Sequence, residues 1–201
     1  MKKLIIVAVL VIIILSSGFI YFSRPQDPYK VTLKYAYVTN DLMSGTAINY
    51  TEYWSYQLLG INGGVMHVIA YKTLRTYVIV INESNGFVLG AYYLSSPHYN
   101  ITFSGSSYYE PIILFRHYKV GDTVLLLNDL PFTVISVKNG REVLAYSNRT
   151  AVNGSVITEH YSFVYSLRTG YLENGTTLWV YERGGTSSML YNQNILIGTE
   201  G

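Results

Sequence analysis

The chain has no cysteine, and only five prolines and two tryptophans among its 201 residues. Without thiols no disulfide framework can be drawn, and the absence assigns no redox compartment, because a domain of this size can hold together on packing alone. Charge is scarce too, at 13% of residues. Taking Lys2, Lys3 and Arg24 from the 14 basic side chains leaves 11 in residues 25–201, against 12 acidic ones. That segment is therefore close to neutral, with no basic stripe. This argues against a nucleic-acid partner and against charge-driven binding to an anionic membrane.

Catalytic patterns are missing as well. The histidines at 67, 98, 117 and 160 stand at least 19 residues apart, so none pairs with another at metal-ligand spacing. Glu159 and His160 are adjacent, and neighbours on a strand point to opposite faces. There is no Gly-x-Ser-x-Gly elbow and no phosphate-binding Gly-Lys-Ser/Thr loop, and an apolar run separates Asp122 from Asp129 where a calcium loop would cluster carboxylates. The expectation is a protein that is not an enzyme, with no catalytic, cofactor-binding or metal-ligating residues and no cofactor.

What is present begins at the amino terminus. Lys2 and Lys3 precede an uncharged stretch, residues 4–22, interrupted only by Ser16, Ser17 and Gly18. At about 1.5 Å per residue this stretch makes a helix of roughly 28 Å, close to the ~30 Å hydrocarbon core. The lysines favour the cytoplasmic side, which predicts a single-pass membrane protein with its C-terminal domain outside, anchored in the lipid bilayer through residues 4–22. A second reading takes residues 4–15 as the core of a signal peptide cut near Gly18, giving a secreted chain that begins FIYFSRPQDP. Both readings divide the chain into residues 1–24, an anchor or signal sequence, and residues 25–201, an extracytoplasmic domain.

Export fits the sequons. Asn-x-Ser/Thr occurs at Asn49, Asn82, Asn100, Asn148, Asn153 and Asn174. These are the expected glycosylation sites. The stretch SNRTAVNGS, residues 147–155, holds two of them and reads as a sugar-shielded outer loop.

The exported part reads as β structure. Tyrosine, at 21 residues, suits pleated surfaces with aromatic cross-strand pairs. Lys30, Thr32 and Lys34 alternate with Val31, Leu33, Tyr35 and Tyr37; Tyr50, Trp54, Tyr56 and Leu58 share one side, as do Ile157, Tyr161, Phe163, Tyr165 and Leu167. The unbroken runs YVIVI (77–81) and TVLLL (123–127) read as central strands covered on both sides, which periodicity alone does not separate from short helix. Five Asn-Gly pairs, at 62–63, 85–86, 139–140, 153–154 and 174–175, read as hairpin turns. Past residue 24 no apolar period of 3.6 persists for more than about ten residues. The fold class is all-β: an antiparallel meander forming a sandwich or open half-barrel, preceded by one transmembrane helix.

Residues 95–110 look like a long loop between halves. Across it, 58–71 echoes 134–146, and 80–90 echoes 164–175, each a hairpin around glycine. Two related meander units would produce this, and so would the generic design of hairpins.

The segment SFVYSLRTGYL, with Thr169 and Gly170 between two strands, resembles a signature of exported β-meander domains that include lipoprotein carriers shaped as open half-barrels. With the single-span anchor, the sequons and the cysteine-free composition, the chain resembles single-span, extracytoplasmic β-meander surface proteins of thermophilic archaea. The resemblance implies a cell-envelope location. Lys2-Lys3-Leu4 lacks the small residue of an archaeal prepilin signal.

Three functions follow as expectations. The first is a membrane-anchored, N-glycosylated cell-surface structural or interaction protein, with a cell-envelope protein or glycan as partner. The second is an exported half-barrel that binds a lipid or small ligand. The third is a hydrolase or, if the chain is cut at Gly18, a strand-donating filament subunit. Tyr92-Tyr93, Tyr99 and Tyr108-Tyr109 are the candidate recognition patch.

Overall fold

The computed structural model describes residues 30–42, 47–73, 75–84, 88–100, 112–127 and 130–200. They form twelve strands and, among the described residues, no helix: β1 (Thr32–Asp41), β2 (Ile48–Asn62), β3 (Val65–Lys72), β4 (Arg75–Asn82), β5 (Val88–Tyr93), β6 (Ser96–Asn100), β7 (Thr123–Leu126), β8 (Leu130–Lys138), β9 (Arg141–Val152), β10 (Ser155–Ser166), β11 (Leu172–Arg183) and β12 (Thr186–Glu200). The expected membrane span at residues 4–22 lies outside the described residues.

All strands join one antiparallel sheet in the order β6-β5-β4-β3-β2-β1-β12-β11-β10-β9-β8-β7. Each half of the chain is a six-strand meander, and the first and last strands pair at the centre, from Thr32 opposite Glu200 to Asp41 opposite Leu190. The two pairs of echoing hairpins occupy matching places: β2–β3 matches β8–β9, and β4–β5 matches β10–β11, six strands later in each case.

Turn chemistry explains the meander. Asn139-Gly140 and Asn153-Gly154 have positive φ at both positions (52° and 72°, 50° and 75°), the conformation that lets a two-residue hairpin match strand twist. The reading of 147–155 as a loop is corrected accordingly. Ser147–Val152 continues β9, residue for residue against β10 as far as Val152 opposite Ser155, and only Asn153 and Gly154 turn. The turn reading of Asn174-Gly175 is corrected too. Both residues lie inside β11, where Gly175 lies beneath Phe163: a Cβ there would stand 3.1 Å from Cδ1 of that ring. Asn85-Gly86 lies outside the described residues.

Two further readings change. The run at 123–127 gives an edge strand, not a central one: in β7 Val124 and Leu126 are buried while Thr123 and Leu125 are exposed. Part of the loop proposed at 95–110 is strand β6, which pairs with β5 at the opposite edge. By contrast Tyr77, Val78 and Ile79 of β4 are buried on both faces, as an inner strand should be.

One face of the sheet carries the core. Leu33, Tyr35, Tyr56, Leu58, Met66 and Val68 from the first half join Val124, Phe132, Val134, Leu144, Phe163 and Tyr165 from the second in a single apolar cluster. Segment 112–115 lies against it, with Ile112, Ile113 and Leu114 buried. Leu114 N–H donates to Gly170 O at 2.8 Å, and Leu172 N–H donates to Ile112 O at 2.9 Å. Gly170, at φ 73°, permits this approach, because a Cβ there would overlap the Leu114 carbonyl oxygen.

The core occupies only the near end, where β1 begins and β12 ends. β1, β2 and β9–β12 run past the other six strands towards a far end that holds Asp41, Ile48 and the turns at Asn153-Gly154 and Gly184-Gly185. In this projection the protein thins to a ladder, and no residue of β12 is buried.

Candidate functional site

The far half of the core-side face is the surface least accounted for by packing. Two rows of side chains cross it, set by register. One runs Tyr146, Tyr161, Thr177, Asn192, Thr39, Tyr50; the next runs Asn148, Glu159, Trp179, Leu190, Asp41, Ile48. Six strands at about 4.8 Å spacing make each row roughly 24 Å long. Neutral polar groups floor the middle, where Thr39 Oγ1 donates to Asn192 Oδ1 at 3.0 Å. Asn194, one step nearer the core, has a buried Oδ1 with no hydrogen-bond partner among the described residues.

Aromatic clusters stand at both flanks. On β1 and β2, Tyr37 stacks on Trp54 with centroids 4.1 Å apart and planes at 13°. Trp54 Nε1 donates to Glu52 Oε2 at 2.9 Å, and Lys72 Nζ lies 3.9 Å from the Trp54 centroid. Burial lowers the Lys72 ammonium to about 8, against the pull of Glu52 in the opposite direction. On β9–β11, the rings of Tyr146 and Tyr161 stand 5.9 Å apart, and Trp179 Nε1 donates to Tyr161 Oη at 2.9 Å. Burial also raises the Tyr161 phenol, and the Trp179 hydrogen bond opposes it. Ile48, Tyr50, Val152 and Trp179 are all exposed large apolar groups on this face, Trp179 at 37%. Flat rings, amides and the carboxylates of Glu52, Glu159 and Asp41 together suit a ligand with apolar faces and many hydroxyls.

The sequons divide between the two ends. Asn49, Asn148 and Asn153 belong to the far end and are exposed. Asn148 is on the core-side face in strand β9, while Asn153 is the first residue of its turn. Asn82 ends β4 and accepts from Ser84 N–H at 2.8 Å, which closes a small turn. Asn174 is half-buried on the outer face and accepts from Gln193 Nε2 at 3.2 Å. Asn100 is the last residue of β6.

The tyrosine patch read from the sequence does not assemble as drawn. Tyr93 packs against the core, while its strand neighbour Tyr92 points to the other face. Tyr108 and Tyr109 lie outside the described residues. The Lys72, Trp54, Tyr37 group was not anticipated, because it joins three strands; the alternation Glu52-x-Trp54 on one face was its only sequence signal.

Among the histidines, Glu159 and His160 do face apart: Glu159 is opposite Trp179 and His160 is opposite Leu178. Ser147 Oγ and His160 Nδ1 stand 2.9 Å apart on the exposed outer face. The residues directly opposite His160 are Ser147 and Leu178, so neither supplies a carboxylate to orient the imidazole. His117 Nδ1 is 3.7 Å from Glu142 Oε2, beside the segment that covers the core. No group of three or more metal-ligating side chains occurs among the described residues.

The sequence matches no protein-family model and no curated protein. The geometry of the sheet is therefore the ground for a functional reading.

Proposed function

We propose that the chain is a membrane-anchored, N-glycosylated interaction protein of the cell surface, which presents the far half of its sheet to a cell-envelope protein or glycan. The carrying observation is the projection itself. Six strands continue beyond the core, at a cost in conformational entropy that no buried cluster of their own offsets, and display Ile48, Tyr50, Val152 and Trp179 on one face. The described chain enters at the near end, at Lys30, so an anchor at residues 4–22 would hold the near end towards the bilayer and leave the far end outermost. Sequons at Asn49, Asn148 and Asn153 surround that end and would limit unwanted pairing there.

The expected open half-barrel that holds a lipid has one observation in its favour: the lining of Trp54, Tyr37 and Lys72, which would suit a small anionic or aromatic ligand. Against it, the near half of the same face is filled by the protein's own side chains and by Ile112–Leu114. The surface-interaction reading is therefore preferred.

Mass spectrometry of the protein from its native membrane fraction tests the proposal. Retention of residues 1–18 and sugar on the far-end asparagines is expected. A soluble chain free of carbohydrate at every sequon would overturn it.

A further inference from the structure

Of the six sequons, Asn148 is the one with a tyrosine, tryptophan or phenylalanine two places before it. Tyr146, Asn148 and Thr150 obey the two-residue period of β9 and share the core-side face. The hydrogen bond from Asn148 Nδ2 to Thr150 Oγ1, 3.2 Å, holds both side chains on that face. Behind them the ring of Tyr146 lies near Tyr161, and Tyr161 is tied to Trp179. Three rings on three successive strands thus form a stepped shelf. Phe132, 5.6 Å from Tyr146 and 6.0 Å from Tyr161, supports it from the core.

Glu159 lies directly opposite both Asn148 and Trp179 and puts an acceptor carboxylate at the rim of the shelf. This pairs ring faces for the C–H side of a pyranose with an acceptor for its hydroxyls. The distances suit a sugar attached at Asn148. Same-face neighbours along a strand are about 7 Å apart and adjacent strands about 5 Å, so a first ring reaches Tyr146 or Tyr161 and a second reaches Trp179.

We propose that these rings are a carbohydrate-binding shelf whose occupant is the chain's own glycan, linked at Asn148 and folded down over Tyr146, Tyr161 and Trp179 with hydroxyls donated to Glu159. The inference rests on the reading of the chain as exported and glycosylated. A covalently attached sugar needs no intrinsic affinity beyond one or two ring contacts, because attachment supplies its effective concentration. The nearest cationic side chain on β9, Arg149, faces the outer side, where it pairs with Glu182 at 3.8 Å. A glycan held this way would cap the exposed indole of Trp179 and stiffen the thin end of the sheet.

The test uses the full chain purified from its glycosylating host. Thr150→Ala keeps Asn148 but removes its sequon, and Tyr146→Ser removes the first ring of the shelf; the two are combined in a double-mutant cycle. With the shelf intact, loss of the sugar is expected to lower the Tm by about 2–4 °C, and with Tyr146 replaced it should lower it by well under 1 °C. In a Trp54→Phe background, which leaves Trp179 as the single indole, acrylamide quenching should rise at least twofold when the sugar is absent. If Tyr146→Ser does not fold, Trp179→Leu takes its place in the cycle.

Additive Tm changes with unchanged quenching overturn the shelf while leaving the glycoprotein reading standing, as does an unoccupied Asn148 beside occupied neighbours. Absence of sugar at all six sites overturns both. Tight quenching protection that persists in Thr150→Ala assigns the shelf to an external ligand and also overturns the proposal.

Discussion

The ammonium of Lys72 lies 3.9 Å from the centroid of Trp54, whose ring is stacked against Tyr37. Burial disfavours the charged amine, the Glu52 carboxylate opposes that effect, and burial prevails, setting the group at about 8. An unfolded chain keeps this proton up to about 10.4. Between these values the unfolded state binds more protons than the native one, so stability rises with pH from about 8 to about 10.4. Chemical denaturation of wild type and Lys72→Met across pH 7–11 isolates the effect: the advantage of the wild type should grow through that window and level off above it. Tyrosine titrations near pH 10 cancel in the difference. A flat difference would show that Lys72 is solvated.

Glu142 works in the opposite sense. Its side chain is buried, burial pushes its carboxyl up, and the Tyr118 N–H at 3.1 Å and the His117 ring pull it only part of the way back. A raised native value means that the stabilising contribution is complete below the ordinary carboxyl range and is lost as pH climbs through the native value. Glu142→Gln keeps an acceptor for Tyr118 and removes the buried charge. It should be more stable than wild type at pH 7 and equal to it near pH 4, as read by urea midpoints.

Gly170 tests the segment that covers the core. Ala at this position meets the Leu114 carbonyl oxygen and a strained φ together. The expected cost is about 2–4 kcal/mol. Hydrogen exchange should localise the damage: the amides of Leu114 and Leu172, which bond across this contact, should lose protection before those of β3 and β4.

The two ends of the sheet should differ sharply on truncation of an aromatic residue. Phe132 has no exposed surface and stacks on Phe163 at 5.1 Å, so Phe132→Ala should cost about 3–5 kcal/mol. Trp179→Ala, at the far end, should cost about 1 kcal/mol, through the loss of its contact with Tyr161 and of what rests on its half-exposed ring. Equal losses in denaturation midpoints would mean that the far end is packed as tightly as the core.

Much of this architecture was legible in the sequence. Alternation at Leu33, Tyr35 and Tyr37 and at Tyr161, Phe163 and Tyr165 identified the core face, and the Asn-Gly pairs at 139–140 and 153–154 located their turns. Asn174-Gly175 misled because glycine serves two purposes: there it makes room for Phe163, which sits on the neighbouring strand and only register reveals. SNRTAVNGS read as a loop because its side chains are polar, but polarity in a ladder exposed on both faces says nothing against strand. The site was least visible of all. Lys72, Trp54 and Tyr37 come from three strands, and a register shift between Leu58 and Ile61 sets the alignment of β2 with β3 that brings Lys72 to Trp54. No local pattern encodes such offsets.

The pairing of β1 with β12 has a kinetic meaning. Thr32 and Glu200 are partners across 168 positions of chain, so the central seam of the sheet is also its longest loop closure. Each meander can zip by itself through short hairpins, yet until the last strand arrives both halves hold a long raw edge at what will become the middle. A chain stopped before β12 would retain two fragments with their stickiest edges facing outward. Arrival of β12 is thus what converts a pair of aggregation-prone half-sheets into one molecule.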